Sequence, residues 1–284
     1  MIALIDTHRH LILRDRFGYA WADAEPVLAG RSFTPADFAE ASADAAFAGA
    51  IYMEAGVDDA DYRSETRHIA ERVRDGEFLA QIASCRPEEE GIGGWLDECA
   101  GLGVAGFRRI LHVSPDDLSD TPVFVDSLRE IGRRGFTFDL CLRANQHWIG
   151  AALLRACPDQ QFILDHCGNP DVAGDGYAAW SHSLAMLSEY PNLAIKLSGI
   201  TANARPDQQT AAHLDPFLYR VLELFGPHRI LWGSDWPVCD LGMGAARWIA
   251  LTQAFLSTLS ADEAAAIARG NARGIYGLGR AAAV

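Results

Sequence analysis

Short apolar runs recur along the chain, and amphipathic stretches with helical periodicity separate them. The runs are mostly apolar rather than alternating, which is typical of strands buried on both faces of a sheet. Eight strands are predicted, at residues 3–6, 49–54, 78–83, 104–110, 136–142, 161–165, 193–197 and 229–233. Helices are predicted at residues 34–47, 61–74, 88–100, 121–134, 147–156, 177–189, 213–225, 245–259 and 261–276.

The alternation of strand and helix predicts an α/β protein with a parallel (β/α)8 TIM-like barrel. An open doubly wound sheet is the main alternative, but it usually carries a glycine-rich phosphate loop after its first strand. This chain has the sequence THRHL at that position, without glycine. Because 284 residues suit one barrel and no linker is visible, residues 1–284 are predicted to form a single domain. A frayed end is expected after Gly279.

Composition narrows the classes of partner. The formal net charge of −14 argues against nucleic acid and against anionic membrane surfaces, since both favour basic patches. No apolar run approaches the roughly 18 residues of a membrane span, and no leader pattern precedes the first strand. We therefore expect a cytoplasmic protein that acts on a small molecule, with a homo-oligomer left open. Six cysteines without CxxC spacing indicate reduced, buried thiols.

Polar side chains stand at the ends of the first, sixth and eighth predicted strands. His8 and His10 are two residues apart, so they point the same way and suit a divalent metal or the polarisation of a carbonyl. His166 follows the sixth strand, and Asp235 follows the eighth. First and last strands are neighbours in a closed barrel, and barrel enzymes keep their chemistry at the carboxyl ends of strands. These side chains are therefore expected to meet, with Asp235 as general base or metal ligand.

Charged side chains also occur inside predicted strands. Arg108 and Arg109 are adjacent, so one should face the barrel interior, where it could bind a carboxylate or carbonyl, and the other the helix layer. Lys196 is either a substrate-binding cation or a partner in a structural ion pair. Trp236 is expected to form an apolar wall beside Asp235 and to raise the pKa of that carboxyl group. Further candidates are Glu54 as a second acid, Arg143 as a cation, and His112, His147 and Cys167 near strand ends.

Six motifs, taken together, resemble the amidohydrolase superfamily of the amidohydrolase-2 type. They are IDTHRH, GVDDADYRSETRHIAE, GFRRILH, FILDHCGNP, NLAIKLSG and LWGSDWPV, and they extend over essentially the whole chain. The similarity is greatest to the lactonase-like branch, which includes L-fuconolactonases, L-rhamnonolactonases and 2-pyrone-4,6-dicarboxylate lactonases. The resemblance implies a distorted barrel that opens a lactone ring, most simply that of a sugar aldonolactone.

The resemblance also implies roles for individual residues. Catalysis falls to Asp235 and His166, and substrate binding to His8, His10, Arg108, Arg109, Lys196 and Trp236. Either no metal is required, or one divalent ion, zinc before others, is held by His8, His10, His166 and Asp235. A binuclear site is not expected, because arginine replaces the bridging lysine or glutamate that much of the superfamily has on the fourth strand.

Two alternatives to the lactonase remain. One is a metal-dependent decarboxylase of an aromatic or muconate-type acid, which the absence of a fifth-strand histidine disfavours. The other is a barrel that binds a sugar acid without turning it over.

Overall fold

The computed structural model describes residues 1–279, and the end expected to fray lies outside the described residues. Eight parallel strands form one sheet in chain order, each paired with the next. They are β1 Leu4–Arg9, β2 Phe47–Met53, β3 Ala80–Ser84, β4 Val104–Ile110, β5 Thr137–Cys141, β6 Phe162–Leu164, β7 Leu193–Leu197 and β8 Ile230–Trp232. The predicted (β/α)8 barrel is confirmed, with strand ends shifted by up to three residues.

Helices follow the strands and cover the outside of the sheet. They are α1 Ala20–Asp23, α2 Pro35–Ala41, α3 Tyr62–Arg74, α4 Gly93–Cys99, α5 Pro122–Arg133, α6 His147–Ala156, α7 Tyr177–Ser188, α8 Ala211–Phe225, α9 Ala245–Ser257, α10 Ala261–Ala265 and α11 Asn271–Ile275. Within residues 1–279, no helix is both long and apolar enough to cross a bilayer.

Three predicted helices differ clearly from the observed ones. The helix predicted at residues 88–100 begins only at Gly93. The helix predicted at residues 34–47 ends at Ala41, because Phe47 already begins β2, where the backbone pairs with β1. The alanine-rich segment between Ala41 and Phe47 favours a helix by local propensity, but the pairing of β2 with β1 outweighs that preference. The helix predicted at residues 261–276 is interrupted by a π-helical turn at Ala266–Gly270.

Apolar side chains fill the barrel interior below the strand ends. Ile5, Ile51, Ile163 and Leu231 come from four different strands and form one buried cluster, which Tyr276 joins from the segment after α11. Because this end of the barrel is packed, a ligand can reach the interior only from the carboxyl ends of the strands.

The barrel closes between β1 and the segment that follows β8. The backbone N–H of Asp235 donates to the carbonyl of His8 at 2.8 Å, and the N–H of His10 donates to the carbonyl of Trp236 at 2.9 Å. Strand β8 is only three residues long, so these bonds extend its pairing with β1. The closure therefore places the first-strand histidines directly beside Asp235.

Asp6 fastens the same seam with its side chain. Its carboxylate is fully buried and accepts hydrogen bonds from the backbone N–H of Ser234 at 2.9 Å and from the Ser234 hydroxyl at 2.7 Å. It also accepts from Nε of Arg9 at 2.9 Å. One buried carboxylate thus joins the two strands whose ends carry the candidate chemistry.

Replacing Asp6 by alanine should lower the free energy of unfolding by about 3 kcal/mol or more, because it leaves several buried donors unpaired. Urea denaturation would measure this change. The control is Asp126→Ala, which removes an exposed ion pair with Arg129 and should cost less than about 1 kcal/mol. Equal losses in the two variants would contradict the role of Asp6.

Candidate active site

A cavity of about 1280 Å³ opens at the carboxyl ends of the strands. His166 and Asp235 lie on its wall, together with His112 and Arg143 from the segments after β4 and β5. Residues 25–27, from the long segment after β1, cover part of it. The chemistry predicted from strand ends therefore faces a space large enough for a small-molecule substrate.

Asp235 lines this cavity, His8 and His10 converge on it, and all three side chains are buried. Oδ1 of Asp235 lies 3.4 Å from Nε2 of His8 and 3.4 Å from Nε2 of His10. The predicted meeting of first-strand histidines with the eighth-strand carboxylate is thus present in the structure.

The other ring nitrogen of each histidine faces an acceptor. Nδ1 of His10 lies 3.0 Å from the carbonyl oxygens of Met53 and Glu54, and Nδ1 of His8 lies 3.4 Å from Oδ1 of Asp165. Because carbonyl and carboxylate oxygens only accept, each Nδ1 is placed to carry the proton of a neutral ring, and a ring so protonated keeps a lone pair on Nε2.

Three acceptor atoms therefore point at one place: two imidazole nitrogens and one carboxylate oxygen. Nitrogen and oxygen donors of this kind suit a divalent metal such as zinc, and ligating histidines usually donate their second N–H to a carboxylate or carbonyl. His8, His10 and Asp235 can hold one such ion. His166, the fourth expected ligand, falls in a second group of possible ligand atoms with His8 and Asp165, and its Nδ1 lies 3.1 Å from the hydroxyl of Ser198.

A buried charge network lies beside these ligand atoms. Arg108 pairs with Glu54 at 2.5 Å and with Asp165 at 3.3 Å, and Lys196 pairs with Asp139 and, at 3.2 Å, with Asp165. Burial alone would raise the pKa of Asp165, but Lys196, His8 and His166 together outweigh it and hold that pKa well below its usual range. Arg108 and Lys196 therefore form buried ion pairs within the barrel, and Glu54 is paired with Arg108.

Arg108 also reaches the candidate cation site directly, with Nη1 3.2 Å from Nε2 of His8. Arg109 faces the other way and pairs with Glu88 at 2.7 Å in the helix layer. The strand alternation predicted this division, and the structure identifies Arg108 as the inward residue. Arg109 lies apart from the other candidate site residues.

The ionisation of the site suits a base beside neutral imidazoles. Burial lowers the pKa of His8 well below its usual value and lowers that of His166 as well. Burial would raise the pKa of Asp235, but the facing residues His166, His10 and His8 outweigh it and lower the pKa to about 2. Asp235 is therefore ionised at neutral pH.

The expected effect of Trp236 on this carboxylate is wrong. Trp236 is buried against Phe38, at 5.3 Å between ring centroids, and against Phe33, at 5.7 Å. Its side chain lies in the core under α2 and is not part of the cavity wall. Asp235 faces the site, whereas the side chain of its neighbour Trp236 packs against Phe38 of α2.

Both candidate catalytic residues have left-handed backbones. The φ angle is 57° at His166 and 58° at Asp235, and the left-handed run continues through Cys167, Gly168 and Asn169. Non-glycine residues rarely adopt this region, and at functional sites the surrounding structure holds them there. The turn directs His166 back over the strand ends.

Side-chain hydrogen bonds hold this turn in place. Nε1 of Trp180 donates to the carbonyl of Cys167 at 2.8 Å, and His147 contacts the carbonyl of Gly168 at 2.8 Å and the hydroxyl of Ser183 at 2.8 Å. His147 is thus a support for the turn. Burial raises the pKa of the Cys167 thiol to about 12, so this cysteine is not poised as a nucleophile.

Two contributors to the site were given no role from the sequence. Asp165 faces His8. Its position directly before His166 is the signal in the sequence that could have identified it. Gly199, just after β7, is closely packed: a Cβ atom there would lie 2.2 Å from Nδ1 of His166 and 3.0 Å from Oδ2 of Asp235. The LSG motif contains this glycine, but only the folded barrel brings it against the other two residues.

Comparison with known proteins places the chain in a family. The amidohydrolase family model matches residues 5–278. This chain belongs to the amidohydrolase family. The membership predicted from the six motifs is confirmed.

Relatives of this amidohydrolase include two named L-fucono-1,5-lactonase. The one from Burkholderia multivorans is 26% identical, and the alignment covers 96% of each chain. The one from Burkholderia ambifaria is 28% identical over 180 residues, which cover 59% of this chain and 62% of the relative.

Solved structures show the same fold. An amidohydrolase from Burkholderia multivorans, crystallised with bound zinc, has a TM-score of 0.88 and 26% identity, over 98% of this chain and 100% of that one. A 5-carboxyvanillate decarboxylase from Sphingomonas paucimobilis has a TM-score of 0.69 at 17% identity, over 98% of this chain and 100% of that one. The second likeness shows the fold alone.

The two adjacent arginines of β4 should differ sharply on substitution. Arg108→Met leaves Glu54 and Asp165 buried without this partner, and we expect it to cost about 3–5 kcal/mol of unfolding free energy. Arg109→Met is the matched control and should cost less than about 1 kcal/mol, since its ion pair is partly exposed. Thermal and urea unfolding measure both variants, and a larger loss in Arg109→Met would contradict the assigned directions.

Proposed function

We propose that this amidohydrolase hydrolyses a lactone, most simply a sugar aldonolactone, to the hydroxy acid. The observation that carries the proposal is the placement of Asp235, which is ionised, lines the cavity and faces three histidines. The two relatives named as fuconolactonases support the choice of substrate class. The decarboxylase alternative has the support of fold alone.

Asp235 can serve two purposes because its two oxygens face different groups. Oδ1 faces His8 and His10, whereas Oδ2 lies 3.9 Å from Nδ1 of His166 on the cavity side. We assign Oδ2 as the general base that takes a proton from water. The hydroxide so formed adds to the lactone carbonyl carbon and gives a tetrahedral oxyanion.

Ring opening requires a proton for the leaving oxygen. When the tetrahedral species collapses, the carbon–oxygen bond of the ring breaks, and the ring oxygen receives the proton from Asp235 or through His166 to become a hydroxyl group. The carboxyl group formed ionises at neutral pH, so each turnover releases a proton into solution. Arg108 places positive charge beside His8.

His8, His10 and Asp235 would hold the divalent ion that their acceptor atoms suit. Such an ion would supply Lewis-acid stabilisation of the developing oxyanion. Zinc is favoured by the nitrogen and carboxylate donors. Arg108 already places positive charge 3.2 Å from Nε2 of His8, so the proposal includes a single ion.

Proton release from a panel of aldonolactones, followed with a pH indicator, tests the proposed function. We expect turnover with the wild type, and a loss of about 10²- to 10⁴-fold in Asp235→Asn, which removes the base. The control is Asp117→Asn, at an exposed position outside the cavity, which should retain wild-type rates. Asp235→Asn activity within about tenfold of wild type would rule out the assigned base, and absence of proton release throughout would reject the lactone class.

Gly199 and Gly226 form a matched pair for testing the packing beside His166. Both have positive φ, and Gly226, with ψ at 168°, takes an alanine with at least as much backbone strain as Gly199, with ψ at −16°. Only at Gly199 does the added Cβ meet His166, whereas nothing lies within 4 Å at Gly226. Gly199→Ala should therefore reduce kcat at least about tenfold more than Gly226→Ala, in samples that are both folded by circular dichroism. Equal kcat values would show that His166 need not be held in this position.

A further inference from the structure

A histidine on the cavity wall contacts a buried cysteine, and neither residue has a role in the mechanism described above. His112 lies in the turn after β4, lines the cavity and is half-buried. Its Nδ1 atom lies 3.1 Å from Sγ of Cys141, the last residue of β5. Cys141 is 1% exposed, and across residues 1–279 its sulfur has no other hydrogen-bond partner.

The chemistry of the pair fixes which atom donates. Burial raises the pKa of the Cys141 thiol, which therefore keeps its hydrogen. Burial, with the charges of His166 and Arg108, lowers the pKa of His112 to about 4, so the imidazole is neutral. Sulfur is a weak acceptor and imidazole nitrogen a good one, which favours S–H donation to Nδ1. His112 then carries its own proton on Nε2.

We propose that Cys141 is a positioning residue that holds His112 as an Nε2–H donor towards the cavity, where His112 binds an oxygen atom of the substrate. Nε2 lies on the ring edge away from Cys141 and has no protein partner in the described part of the chain. The binding role rests on the proposed lactone hydrolysis, whereas the tautomer does not.

Arg143 indicates which oxygen atoms of a substrate this part of the cavity wall can bind. It follows β5 directly, and among the described residues that line the cavity it is the one lysine or arginine. His112 and Arg143 present only N–H donors, so their side of the cavity suits hydroxyl and carboxylate oxygens. A polyhydroxylated lactone and its hydroxy-acid product both offer such groups.

The tautomer can be measured without any substrate. Long-range ¹H–¹⁵N correlation spectra of ¹⁵N-labelled protein distinguish Nδ1–H from Nε2–H, and the His112 signals are assigned by their loss in His112→Phe. We expect Nε2–H in the wild type and in Cys141→Ser, whose hydroxyl can also donate. In Cys141→Ala the signals should move towards values averaged over both tautomers. Wild-type His112 protonated on Nδ1, or an unchanged Cys141→Ala spectrum, would overturn the proposal.

A double-mutant cycle tests whether Cys141 acts through His112. Cys141→Ala should raise KM about threefold to tenfold, the size of one neutral hydrogen bond, with little change in kcat. In a His112→Phe background the same change should have no further effect. Cys141→Ser should restore most of the affinity. Additive effects, or equal losses in Cys141→Ala and Cys141→Ser, would overturn the role of the thiol.

A matched control separates this effect from simple loss of packing. Cys99 is also fully buried, but it lies in α4, outside the cavity wall, and makes no side-chain hydrogen bond in the part of the chain described. Cys99→Ala should leave KM unchanged, and a rise equal to that of Cys141→Ala would contradict the proposal. If no lactone is turned over at all, the proposed function fails, and the tautomer spectra still decide the role of Cys141.

Discussion

The ion-pair network around Asp165 is the interaction on which the site depends. Two cations and three carboxylates are buried inside the barrel, where an unpaired charge would cost several kcal/mol. Lys196 and Arg108 compensate Asp165, which then remains ionised and faces Nδ1 of His8. That contact favours a proton on Nδ1 of His8, so that Nε2, which faces Arg108 and Asp235, keeps its lone pair. Removal of one member would therefore change the chemistry as well as the stability.

The same network limits what the site can hold. Arg108 stands 3.2 Å from Nε2 of His8, so positive charge already occupies that side of the imidazole. Ligand atoms converge both towards His10 and Asp235 and towards Asp165 and His166, but Arg108 and Lys196 already pair with Asp165, which favours the first direction. The carboxylate of Asp235 balances the charge of one cation in that direction, whereas the positive charge of Arg108 would repel a second cation placed beside it. The part of the cavity wall that contains His112, with Cys141 behind it, supplies hydrogen-bond donors rather than metal ligands.

Local patterns in the sequence predict most of the fold and part of the site. Apolar runs locate all eight strands, and the barrel rule then brings His8, His10 and Asp235 together, because strand ends share one face. Directions after a strand ends are harder to predict, as Trp236 shows. Contacts between distant segments, such as that of Gly199 with His166, depend on register and turn geometry that no short sequence pattern encodes.

The most direct test of this account is anomalous X-ray scattering at the zinc absorption edge, from crystals of the protein grown with zinc. The convergence of acceptor atoms predicts one peak per chain, between Nε2 of His8, Nε2 of His10 and Oδ1 of Asp235. A second peak beside Arg108, a peak between Asp165 and His166 instead, or no peak at saturating zinc would contradict it.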